Sequence, residues 1–90
     1  MSGRAEFLAR IESERQRQFD LPGSEYDVRN TPNDWAAIAM HYLSGEVRRA
    51  GSMPSRADYE DSLIKAGAVI LAALEHAENM HKLGSLRNAE

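Results

Sequence analysis

Apolar side chains recur along this chain at spacings of three and four, and that pattern predicts three helices. Over residues 4–19, Leu8, Ile11, Arg15 and Phe19 share one side, with Phe7 adjacent, among good helix formers (Arg, Glu and Gln). The stripe is narrow, so this helix is marginal by itself. Asp20-Leu-Pro-Gly-Ser24 breaks it, and Glu25–Asn30 has no clear period; an ordered loop or a short extended piece is expected there. The second helix is expected over 32–50. Thr31 can cap it, Pro32 suits its first position, and Asp34 stands three after the cap. Trp35, Ile38, Ala39, Tyr42, Leu43 and Val47 form a wide apolar face, which Gly45 weakens by about 1 kcal/mol relative to alanine.

After Gly51-Ser-Met-Pro54, Ser55 with Asp58 gives a second capping-box-like start. The third helix is expected to run unbroken over 56–83, with a loose tail over 84–90. Tyr59, Leu63, Ala66, Ile70, Ala73, Ala77 and Met80 alternate spacings of four and three, an a/d heptad seam, flanked by Ile64, Val69 and Leu74. At 1.5 Å per residue this helix is roughly 40 Å long. A compact domain of this size is only about 26 Å across. Two shorter helices cannot easily cover the seam. The fold class that follows is all-α: a three-helix chain with a long C-terminal helix, its bundle completed by a homo-oligomer, a dimer or higher.

Ninety residues make one domain with a modest core, and small cores often need a partner. The composition, 42% hydrophobic and 28% charged, is globular. A net charge of −3 gives no global attraction for phosphate backbones, so a nucleic-acid partner is not expected. The absence of cysteine excludes disulfides, thiolate zinc sites and cysteine nucleophiles, and fits a reducing cytoplasm. Arg4, Glu6, Arg10 and Glu12 interrupt any secretory-signal-like run, and Ala66–Leu74 is far short of the ~20 apolar residues that span a bilayer. No membrane association is expected.

Chemistry-bearing motifs are sparse. His41, His76 and His81 lack the HExxH pattern, and Glu78-x-x-His81 is a single copy of a di-metal spacing that an ordinary solvated pair explains better. The carboxylates offer more. Asp58 and Asp61 stand one turn apart, Glu25 and Asp27 precede the second helix, and Asp34 opens it. If the helix starts converge, Asp27, Asp34, Asp58 and Asp61 could hold Mg²⁺, which prefers one or two carboxylates plus substrate phosphates. The plainer reading has Asp34 and Asp58 complementing helix dipoles and Asp61 pairing with Lys65.

Several segments share order and spacing with a known family: Ile11 with Glu14-Arg15-Gln16-Arg17-Gln18, Glu25-Tyr26-Asp27, Trp35-Ala36-Ala37-Ile38-Ala39 with Tyr42, and Asp61–Ala72 with Leu74-Glu75. Through them the chain resembles small phage and prophage proteins related to the MazG-like all-α nucleotide pyrophosphohydrolases. The resemblance implies an oligomeric helical protein in the host cytoplasm. It further implies Mg²⁺-dependent cleavage of a nucleoside triphosphate, or nucleotide binding in a degenerate relative. Carried over by position, Asp61 is a metal ligand and Lys65 a phosphate contact. Glu25 and Asp27 belong to an acidic loop cluster, and Asp34 replaces a glutamate. Two features depart from the pattern: Asp34 is followed at the third position by Ala37 rather than glutamate, and Val28 stands where a further acid is expected. The alternative function is non-catalytic: binding a host or phage protein, or sequestering a small nucleotide, through a helical oligomer. Arg48 and Arg49 could then join Lys65 as phosphate contacts.

Overall fold

The computed structural model describes residues 3–44, 51, 53–84 and 86–87. Its elements are α1 (Arg4–Phe19), a 3-10 turn (Ser24–Arg29), α2 (Pro32–Ser44), α3 (Arg56–Glu75) and α4 (Ala77–Lys82). The fold is all-α, with no strand among the described residues.

Local chemistry accounts for most of these bounds. α1 stops at Asp20, and the chain then turns through Gly23, whose φ of 96° is accessible to glycine at little cost. The next residues, expected as an ordered loop or a short extended piece, wind into a 3-10 turn. A reciprocal capping box opens α2: the Asp34 amide donates to Thr31 Oγ1 at 3.2 Å, and the Thr31 amide donates to Asp34 Oδ2 at 2.9 Å. Ser55 Oγ accepts from the Asp58 amide at 3.0 Å and opens α3. The expected continuation of the second helix over 45–50 lies outside the described residues.

The third helix is not one rod. His76 interrupts it with φ −91° and ψ 0°, in the bridge region, and its amide faces the carbonyls of both Ala72 and Leu74. The His76 ring stacks on Trp35 of α2, with centroids 5.3 Å apart. Beyond this turn, α4 lies over the start of α2. Met80 joins the core, and Asn79 Nδ2 donates to the Val28 carbonyl at 3.0 Å. Nor is the tail wholly loose, because Leu86 packs on the same cluster.

The core is thin. Trp35, Val69, Ala72 and Met80 form its cluster, while Ala66 and Ala68 are the other buried apolar residues. α3 is the central element, and both α1 and α2 pack chiefly on it. α1 crosses α3 at Gly67, where a Cβ would lie 3.2 Å from Ile11 Cδ1. One flank of α1 reaches the first half of α3 through Arg10–Glu60 at 2.7 Å, and the other reaches its end through Arg15–Glu75 at 2.8 Å. Among the described residues no helix is long and apolar enough to cross a membrane.

Candidate functional site

The acidic residues singled out in the sequence occupy separate places. Asp34 belongs to the capping box of α2, and Asp58 sits in the first turn of α3 beside Ser55. Asp61 pairs with Lys65 one turn on, at 3.0 Å. Glu25 and Asp27 lie in the first turn of the 3-10 element, where the Asp27 carbonyl accepts from the Asn30 amide. Among the described residues no three His or acidic side chains come close enough to share a metal ion. Asp27, Asp34, Asp58 and Asp61 therefore do not converge. The starts of α2 and α3 use their aspartates for helix ends, where backbone amides and the helix dipole favour a negative charge.

One polar cleft does combine two helices. Arg10, Glu14 and Arg17 of α1 and Asp61 of α3 help to line a shallow depression of about 430 Å³. Its charges are already matched. Arg17 donates twice to Glu14, at 2.8 and 2.7 Å. Those bonds, helped by Gln18, hold Glu14 below the ordinary carboxylate value against the burial that would raise it. The hydrogen bond from Lys65 to Asp61 raises the lysine. Arg10 and then Arg56 lower Glu60 in the same way. Glu14–Arg17 and Arg56–Glu60 were readable as one-turn helix pairs. The cross-helix bridges Arg10–Glu60 and Arg15–Glu75 carry no signal in sequence spacing.

The opposite character appears along α3. The predicted heptad seam is divided by the fold: Ala66 is buried and Ala73 packs toward the Trp35 cluster, while Tyr59, Leu63 and Ile70 stay outside. Leu74 joins them. These four side chains are 45%, 39%, 51% and 68% exposed in that order along the stripe (Tyr59, Leu63, Ile70, Leu74). At 100° per residue they fall within about 60° of arc on one side of the helix. Glu60, Asp61, Lys65 and Glu75 point elsewhere round the helix, but Arg56 shares that side, at the angle of Leu74, and lines the groove at that end together with Glu60.

An apolar groove flanks each end of the stripe. The first, about 460 Å³, is lined by Phe7 and Ile11 of α1 with Tyr59 and Leu63. The second, about 280 Å³, is lined by Trp35 and Ala39 of α2 with Ile70, Leu74 and Met80. Trp35 Nε1 is buried with no acceptor among the described residues, a defect of about 1–3 kcal/mol at the wall of this second groove. Exposed apolar side chains grouped along one side of a helix, beside apolar grooves, make this stripe the candidate interaction surface.

No family model, curated protein or solved structure matches this chain. The resemblance to MazG-like proteins thus stands on the sequence segments alone.

Proposed function

We propose that this chain works by binding rather than by catalysis, as a small helical interaction protein whose docking surface is the exposed apolar stripe of α3. The observation that carries this reading is the contrast between the two surfaces. Tyr59, Leu63, Ile70 and Leu74 are apolar and uncovered, with a groove at either end. Glu14, Arg17, Asp61 and Lys65, by comparison, are spent on one another, and Asp34 on a helix start. A homo-oligomer, or a complex with a host or phage protein, would cover such a face.

The competing reading is the nucleotide pyrophosphohydrolase, or a degenerate relative that only holds the nucleotide. In its favour, Glu14 and Asp61 line one cleft from two helices. The donor set does not fit Mg²⁺ as it stands. Glu14 is engaged by Arg17 and Asp61 by Lys65, and no third carboxylate joins them among the described residues.

The two readings separate in one assay. Purified protein incubated with Mg²⁺ and a panel of ribo- and deoxynucleoside triphosphates is expected to release no pyrophosphate above a protein-free control. Release that disappears in Asp61→Ala would return the hydrolase to first place. Calorimetric titration with the same nucleotides tests sequestration, and no heat of binding is expected.

A further inference from the structure

Sequence and fold pull in different directions at His76. The heptad register runs straight through it: Ile70 and Ala73 before the break are followed, at the same alternation of three and four, by Ala77 and Met80 after it. Residues 76–83 contain neither glycine nor proline, and Ala77, Glu78, Met80, Lys82 and Leu83 are good helix formers. Their own preferences would draw α3 and α4 into one rod.

The bend is held by contacts remote in sequence. The His76 ring stacks on Trp35, Met80 joins the Trp35 cluster, and Asn79 donates to the Val28 carbonyl. Met80 is the one buried residue of α4. The closed arrangement also leaves Trp35 Nε1 buried with no acceptor among the described residues, a defect that contact with water would relieve. A short helix anchored by one buried side chain is the kind of element that opens locally while the rest of a fold stays intact. Local preference set against a few distant contacts gives it a second arrangement to open into.

α4 also closes something. Met80 lines the second groove together with Trp35, Ile70 and Leu74. Swinging α4 into line with α3 would take Met80 out of that groove and bare the indole beside the exposed stripe.

We infer that α4 is a latch hinged at His76. Closed, it shields Trp35; open, α3 and α4 form one helix over 56–82 and Trp35 joins the apolar stripe. This inference goes beyond the binding reading and needs no partner, so its failure leaves the stripe as it stands.

The test uses the full chain and its single tryptophan, whose indole N–H gives one NMR signal. Hydrogen exchange at that N–H reports the fraction of molecules in which Trp35 is open to water. His76→Ala removes the stack and places the best helix former at the hinge, so indole exchange should quicken by about tenfold. The Met80 amide, which bonds the carbonyl of residue 76 at 3.0 Å, reports on α4 itself. A latch that swings as a helix keeps this bond, and Met80 exchange should stay at its native rate. Asn79→Ala is a milder second variant, because it removes only the exposed bond to Val28; the same split is expected, with indole exchange about threefold faster.

Indole exchange unchanged in both variants overturns the latch. So does equal acceleration of the indole and the Met80 amide in Asn79→Ala, since α4 would then melt rather than swing.

Discussion

Trp35→Ala is expected to lower the melting temperature by about 15–30 °C, followed by helix ellipticity in thermal denaturation. Among the described residues Trp35 is the one fully buried aromatic of the cluster, where it meets Val69, Ala72 and Met80 and stacks on His76. Truncating a buried tryptophan costs about 3–5 kcal/mol. A domain of this size has a total stability of only about 5–15 kcal/mol, and the alanine-rich remainder of this core cannot collapse far into the gap. Trp35→Phe keeps most of the packing and removes the unsatisfied indole N–H, so its loss should be much smaller. If the alanine variant melted within a few degrees of the native protein, the cluster around Trp35 would not be what holds α2 and α4 to α3.

The second large effect lies at the α1–α3 crossing. Glycine in mid-helix is about 1 kcal/mol worse than alanine, yet Gly67 sits near the centre of the central helix. Ile11 is the reason, with its Cδ1 at 3.2 Å and Cγ1 at 3.4 Å from where a Cβ would stand. Gly67→Val should force α1 outward and cost about 1–3 kcal/mol in urea unfolding. Gly67→Ala sets the gain in helix propensity against a milder squeeze, so its net effect in the native background should be small. In an Ile11→Ala background the squeeze is gone, and Gly67→Ala should stabilise by about 1 kcal/mol. Equal effects of Gly67→Ala in both backgrounds would mean that the two residues do not touch.

The helix starts were legible because their signals are local. Thr31-Pro32-x-Asp34 and Ser55-x-x-Asp58 form the capping bonds their spacing announced. α1 was legible as well, since its bounds follow from the run of Arg, Glu and Gln and from the Pro-Gly break. The break at His76 was not. Nothing in His76-Ala77-Glu78-Asn79 disfavours a helix, and the turn goes with a stack on a tryptophan forty-one residues earlier in the chain. The 3-10 turn over Ser24–Arg29 was missed for the opposite reason: a single short helical stretch is too brief to show a period.

The heptad spacing was real but carried less than it promised. Periodicity states which residues share a side, not which neighbour takes them. Here the fold gives Ala66 and Ala73 to the interior and leaves Tyr59, Leu63 and Ile70 to solvent. Leu74, outside the heptad count, completes the exposed stripe. The acidic residues follow the same logic. Asp34 and Asp58 serve helix ends and Asp61 serves Lys65, as elementary electrostatics had them. A convergent site would have required the starts of α2 and α3 to meet, and the antiparallel packing of these helices sets the start of α2 beside the end of α3, at the Trp35–His76 stack.

The decisive measurement is methyl solvent accessibility by NMR, with a soluble paramagnetic chelate added to the full-length protein at high concentration. Leu63, Ile70 and Leu74 are open to water in a single chain, and so is Leu8 of α1, which lies away from that stripe beside Leu71. A covered α3 face predicts that the methyl signals of Leu63, Ile70 and Leu74 resist broadening while that of Leu8 is lost. Broadening of all four to the same degree would show that nothing docks on this side of α3.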